Sequence, residues 1–547
     1  MNIIEKHIEE LENKIYEQLN ATEEILYKWE YDTYPMDPNT IAAIWDDIDN
    51  APAIRIIGDY DVDGQCAVYI MAKSIKSKYP KKSVSIRIPH RFSEGYGINT
   101  VIADEIIRSM PKNSVIITVD NGIASSEILE RLENMGYIVI MTDHHALRDG
   151  NKIPDVTMVI DPEVEEIDNP LDGKYWCGAG IAYKICEPII DEKLRHDLSI
   201  YAAIATVADC VPLVEGNWGL VKRAIQAFRN NTAPIVLNNL LIELGKDPNF
   251  CNEEYFGYYL GPAINAPGRL LDDGANLVIR YLNKGNPEDR KKIKQYNDDR
   301  KKLKEEQYNQ VKEYIESKGL QNSCPIWVCM PSLHEGIIGI LAGEVVKEYG
   351  KPAIILTNEQ GKIDSYKGSG RTAGDFNLFQ YLKNIPNECF IKLGGHPGAA
   401  GMSMTWDGFN EARKYQITDF NINKEQTKDI KMLINTWEIP DIASTLDKFR
   451  PFGEGNPVPV FETIIDMEKD NVIFLGDKKQ HLFVKDKYNR YEITHFYHEP
   501  NDLSDKRHFK LEGTINRNAF RGLETPALNA TKAIDIIEDK EKEKDLL

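Results

Sequence analysis

No run of about 18 apolar residues occurs in the chain, which excludes an ordinary transmembrane helix. The opening MNIIEKHIEELENKIYEQLN is charged and helical in period. It lacks an apolar core, so a secretory signal is not expected there. No Cys-x-x-Cys pair occurs among the 8 cysteines, and the closest two, Cys324 and Cys329, flank a strand-like run. A zinc or disulfide framework is therefore unsupported; buried free thiols in a reducing, cytoplasmic setting are expected. Internal repeats and low-complexity segments are also missing. Bases are in deficit, with 66 Lys and Arg against 86 Asp and Glu and a net charge of −20. That balance argues against a general nucleic-acid coat. It leaves room for an enzyme that gathers acids at a metal and bases in one groove.

Hydrophobic residues make up 42% of the 547 positions, and the length suggests about three or four domains. The first half alternates apolar strand-like runs (53–57, 114–119, 137–141, 157–160) with helical patterns, the signature of a parallel α/β sheet. Residues 286–318 are almost all charged or polar and predict one long exposed helix bridging two domains, with Gly319 as its stop. Strand and helix patterns then resume at 325–330, 338–346 and 353–357, followed by a tight glycine-rich turn at 394–401. From about residue 449 the pattern is all strand and suits a small barrel. The expected division is 1–285, a linker helix at 286–318, then 319–447 and 448–537, with a charged, frayed tail at 538–547.

Three of the strands run into acids: Asp59-Tyr60-Asp61-Val62-Asp63-Gly64, Asp120-Asn121-Gly122 and Asp143-His144-His145. In an open parallel sheet ligands bind beyond the carboxyl ends of the strands, so all three clusters would converge on one crevice. A fourth acid, Asp209, ends an apolar, alanine-rich helical run, where packing gives it no purpose. Divalent cations would relieve the repulsion, and carboxylates with imidazoles suit manganese or magnesium. A single Asp after a strand is usually a turn former or a helix cap. The joint pattern is far more specific than any member.

GDYDVDG, TVDNG, TDHH and ATVADCVPL resemble the successive motifs of the DHH phosphoesterase superfamily. HRFSEGYG, LGPAINAPGRL, HEGIIGILAGEV, KGSGRT, GGHPGAAG and PFGEGNPVPVFE resemble the RecJ family within it, over roughly residues 50–535. The resemblance implies a parallel-sheet DHH catalytic domain, a linker helix, a second α/β DHH-associated domain and a C-terminal OB-fold β-barrel. It implies two divalent cations, Mn2+ or Mg2+, held by Asp61, Asp63, Asp120, His144 and Asp209, with Asp120 shared. His145 would face the scissile phosphate, and Asp59 and Asp143 would orient the ligands. Arg91, Ser369 and Arg371 would cradle the 5′ phosphate or nearby backbone, and Asn265 and Arg269 would contact phosphate beside the metals. Gly395 and His396 lie in a turn that would let backbone approach the nucleotide.

In the barrel, aromatics alternate with bases, and Arg517, Phe520 and Arg521, in an expected loop NRNAFRG, are candidates for stacking and backbone contacts. The implied activity is 5′→3′ degradation of single-stranded DNA to 5′ mononucleotides, in repair or recombination. Implied partners are single-stranded DNA and a helicase or single-strand-binding protein, with no membrane and a monomeric state. The alternatives are a short-oligonucleotide or cyclic-dinucleotide phosphodiesterase, against which residues 448–535 speak, and a non-catalytic replication scaffold, against which the full ligand set speaks.

Overall fold

The computed structural model describes residues 3–31, 34–147, 152–173, 175–417, 430–477, 480–496, 507–520 and 522–535. The expected tail and Arg521 lie outside the described residues. Strands β1 (Ala53–Ile57), β2 (Ser83–Arg87), β3 (Val115–Val119), β4 (Ile138–Thr142) and β5 (Met158–Ile160) form a parallel sheet in the order β2-β1-β3-β4-β5. Strands β1 and β3 are buried at every position, as expected of strands with both faces covered. Strand β2 was not expected. Its sequence, SVSIR, carries only two aliphatic residues because it is a half-exposed edge strand. The strand order reverses beside β1, which opens a crevice at the carboxyl ends of β1 and β3. The one charge inside β1, Arg55, is satisfied there by Ser85 Oγ at 2.8 Å and Glu105 at 2.6 Å.

The linker helix spans Pro287–Ser317, with Asn286 as its N-cap and Pro287 in its first turn, and Gly319 takes φ 69° beyond its end. The expected long exposed helix also carries a buried stripe. Ile293, Asn297, Val311 and Ile315 lie buried along one stripe. Charged residues outnumber this stripe in the sequence, so its period is masked.

The second sheet comprises β6 (Ile326–Cys329), β7 (Ala353–Asn358), β8 (Tyr366–Arg371), β9 (Lys392–His396) and β10 (Ala399–Met404), in the order β6-β7-β8-β10-β9. Only β6 and β7 run parallel. The glycine-rich stretch is thus a hairpin rather than one long turn, with Gly395 paired to Ala400. A Cβ on Gly395 would lie 2.4 Å from the Ala399 carbonyl oxygen, so glycine permits the tight pairing.

The third sheet comprises β11 (Lys431–Leu433), β12 (Val460–Asp466), β13 (Val472–Leu475), β14 (His481–Lys485), β15 (Glu492–Phe496), β16 (His508–Phe520) and β17 (Leu523–Asp535). Its order is β11-β12-β16-β17-β15-β14-β13. It recruits a strand ahead of residue 449, with the helix Ile439–Phe449 intervening. Residues 516–520 of the expected NRNAFRG loop are strand: Arg517 pairs with Pro526 and Phe520 with Leu523, and Gly522, at φ 82°, precedes β17. This barrel packs on the first domain. Trp218 donates its indole N–H to the Phe449 carbonyl at 3.1 Å, Leu213 N–H bonds Glu454 O at 2.7 Å, and Arg450 pairs with Glu253. One apolar core runs from β1 and β3 through the helices into β12, β14 and β16. Seven cysteines are buried and Cys210 is exposed. No described helix is long and apolar enough to cross a membrane.

Candidate metal centre and phosphate pocket

The acids converge because each follows a strand or caps a helix at the same edge of the first sheet. Asp61 caps the helix Val62–Lys78, and its Oδ1 accepts the Asp63 and Gly64 N–H groups at 3.1 Å each. Asp63 reaches the start of the helix Gly178–Cys186, where its two oxygens accept Gly178 N–H at 2.7 Å and Ala179 N–H at 2.8 Å. A Cβ on Gly178 would stand 2.4 Å from the Asp120 Cβ, so glycine lets the two acids share the space. Asp209 caps the end of the helix Glu192–Ala208.

His144 is the hub. Its Nε2 lies 3.1 Å from Asp120 Oδ1, 3.5 Å from Asp63 Oδ2 and 3.6 Å from Asp209 Oδ2. Three overlapping groups could each hold a metal ion: Asp120/His144/His145, Asp63/His144/Asp209 and Asp59/Asp61/Asp120. Asp59 Oδ1 is buried without a hydrogen-bond partner. Burial and then neighbouring carboxylates push Asp59 and Asp120 well above the ordinary carboxylate range, and Asp209 likewise. An oxygen-rich, imidazole-containing donor set with an orphaned carboxylate oxygen and unrelieved repulsion fits hard divalent cations.

His145 sits at the open side. Its Nδ1 lies 2.6 Å from Asp143 Oδ1, and 47% of its side chain is exposed. Burial opposes protonation, but the bond to Asp143 and the nearby acids outweigh it and push the imidazole up to about 9. Asp143 itself is fixed by the Ile123 N–H at 3.0 Å. The sequence reading missed Tyr96, within HRFSEGYG. Its hydroxyl donates to the Asp120 carbonyl at 2.9 Å and lies 3.3 Å from His145 Nδ1. It also left Asn121 without a role. That amide donates to the Ile57 and Val119 carbonyls and accepts the Ile98 N–H, tying β1 to β3.

Across the crevice are the expected phosphate contacts. Arg91 stacks on the Tyr60 ring at 4.4 Å, and its loop is held by Asp272, which accepts the Phe92 and Ser93 N–H groups. Asn265 Oδ1 is buried and unpartnered. Arg269 donates to the Gly336 carbonyl at 3.3 Å, and Phe92 meets His334 edge-on at 5.7 Å, so the second domain closes on this side. Arg371 donates to Ser369 Oγ at 3.1 Å. His396 lies at the hairpin tip with much of its surface in solvent; partial desolvation of the ring, Arg371 and His145 hold its imidazole below the usual range. The barrel candidates stand differently. Arg517 is already paired with Asp447 at 2.7 Å, whereas Phe520 is 72% exposed.

Fold and crevice together define the DHH class, and comparison with known families agrees. The DHH family N-terminal domain matches residues 53–211, the DHHA1 domain 325–418 and the RecJ OB domain 428–532. The single-stranded-DNA-specific exonuclease RecJ of Bacillus subtilis (strain 168) is 31% identical over 464 residues, covering 83% of this chain and 57% of that protein. The crystal structure of RecJ in complex with Mn2+ from Thermus thermophilus shares the fold with a TM-score of 0.75 at 20% identity, covering 96% of this chain and 76% of that one. A structure of exonuclease RecJ bound to manganese gives a TM-score of 0.56 at 25% identity, covering 70% and 94%. The chain belongs to the RecJ family of the DHH superfamily.

Proposed function

We propose that the chain is a metal-dependent exonuclease that removes 5′ mononucleotides from single-stranded DNA, working from the 5′ end. One observation carries this reading. A cluster of acids and imidazoles lies beside Arg91, Arg269 and Arg371, which among the described residues have no carboxylate within ion-pair distance, the arrangement a phosphodiester needs between cations and guanidinium forks. The family match of residues 428–532 to an oligonucleotide-binding domain supports a strand as substrate rather than a free dinucleotide. The boundaries at 285/286, 318/319 and 447/448 belong to the same proposal.

In this reading Asp61, Asp63, Asp120, His144 and Asp209 hold two divalent ions, Mn2+ or Mg2+. When bound, the ions would activate water and offset charge at phosphorus. Asp143 fixes the Nδ1–H of His145, so Nε2 is free to donate to a phosphoryl oxygen. Asp59 orients the carboxylates beside it. Arg91, Asn265 and Arg269 hold the phosphate near the acids, and Ser369, Arg371, Gly395 and His396 hold the strand's 5′ end. Phe520 offers a face for base stacking, and Arg517 contributes if it leaves Asp447.

The test uses purified chain with Mn2+ and end-blocked oligonucleotides. Release of mononucleotides from free 5′ ends of single strands, with duplex spared, is expected. Asp120→Ala should abolish cleavage while strand binding persists. Digestion only from 3′ ends, or undiminished cleavage by Asp120→Ala, would refute the proposal.

A further inference from the structure

The linker helix carries five half-buried bases. Four have carboxylate partners: Arg290 with Glu243, Lys294 with Asp298, Lys304 with Glu344 and Lys312 with Glu348. Arg300 is the fifth. Among the described residues no carboxylate lies within ion-pair distance of it. Its guanidinium donates to Asn297 Oδ1 at 3.0 Å, while its Nε is buried without any partner. Asn297 is itself 1% exposed, so the helix turns this Asn–Arg pair inward. Burying a charged donor unpaired is unfavourable and calls for a counter-ion in the working state.

The surroundings say what kind. Burial, then Arg91, Arg300 and Arg371, bring Arg269 down to about 9, against the pull of Asp61. Burial likewise lowers Arg300 and Arg371. Guanidinium groups from the first domain, the linker helix and the second domain therefore lie within electrostatic reach of Arg269, and among the described residues none of Arg91, Arg269, Arg300 and Arg371 has a carboxylate within ion-pair distance. A helix serving only as a spacer would leave such a base in water, as it leaves Lys301 and Lys302.

We propose that Arg300 is a substrate-binding residue whose guanidinium, aimed by Asn297, takes a phosphodiester anion of the bound strand together with Arg269. The inference rests on the nuclease reading and deepens it: the linker helix forms part of the strand's floor as well as joining two domains. Arg300 binds and orients, and has no part in bond breaking.

The experiment measures anisotropy of a 5′-phosphorylated, 3′-fluorescein-labelled oligo-dT in EDTA, over a salt series, for wild type, Arg300→Gln, Arg300→Lys and Lys301→Gln. Binding by Arg300→Gln should weaken about tenfold, as for loss of a charge-assisted hydrogen bond. Its salt slope should drop by about one unit. Arg300→Lys should keep most of the slope, and Lys301→Gln, which loses the same charge on the same helix, should bind as wild type does. Equal affinity and slope for Arg300→Gln and wild type would overturn the assignment, as would an equal loss in Lys301→Gln. If Arg300→Gln melts early, Arg300→Lys decides: unchanged melting with weakened binding supports the role, and unchanged binding overturns it. Failure of the wild type to bind the oligonucleotide in EDTA, together with failure of Asp120→Ala to bind it with Mn2+, would instead sink the nuclease reading itself.

Discussion

A left-handed backbone is unfavourable for most L residues, because the β-carbon crowds the carbonyl oxygen. Asp120 nevertheless has φ 60°. Strain of this kind persists only where the surroundings hold it. Here Tyr96 donates its hydroxyl to the Asp120 carbonyl, and the missing Cβ of Gly178 makes room for the side chain. Tyr96 is thus a positioning residue for the shared carboxylate and, through its 3.3 Å approach to Nδ1, for His145. Tyr96→Phe should lower kcat about tenfold, the effect of losing one hydrogen bond to a carbonyl. KM should change little and Mn2+ affinity, read by calorimetry, should fall. Unchanged kcat and metal affinity would show that Asp120 keeps its geometry unaided.

Among the elements, the barrel is pinned by charges that alternate with its core. Glu512 on β16 receives Lys431 at 2.6 Å and Lys532 at 2.9 Å, and Glu462 on β12 receives Lys431 at 2.8 Å and Lys510 at 2.9 Å. The lysine hydrogen bonds hold Glu512 below the usual carboxylate range; in Glu462 they outweigh burial to the same end. A depressed folded value means that the native state binds fewer protons than the unfolded one. The stabilisation is present above the ordinary Glu value of about 4.3 and is lost as pH falls through the folded value. The lysines are largely exposed, so Glu512→Gln should remove only about 1 kcal/mol, and that difference should vanish in acid. A urea titration series checks both; a loss that grows on acidification would contradict the assignment.

Legibility followed the same physics. Strands such as β1 and β3 were plain because burial on both faces demands unbroken aliphatic runs. Edge strand β2 and the polar outer ends of β16 and β17 carry little apolar signal. At the site, the acids stood out by type and spacing. Tyr96, Gly178 and Arg300 did not, since each acts through backbone geometry or through a distant element.

For the whole molecule, a net charge of −20 coexists with arginines that, among the described residues, have no carboxylate within ion-pair distance, because acids are gathered on one side of the crevice and guanidinium groups on the other. Burial and mutual repulsion raise Asp59, Asp120 and Asp209 above the ordinary carboxylate range. This gathering of acids is unfavourable by itself and should be relieved by cations that bind the folded state alone. Because a single core joins the first domain to the barrel, the benefit should reach most of the fold. At Mn2+ about 100-fold above its Kd, linkage gives about 2.7 kcal/mol for one site. Calorimetric melting should show a concentration-dependent rise in Tm, with the first domain and the barrel unfolding together. Asp120→Ala, which removes the carboxylate shared by two of the three donor groups, should lose most of that rise. A Tm indifferent to Mn2+ in the wild type would mean that the acids hold no ion. A rise undiminished in Asp120→Ala would place the ion elsewhere.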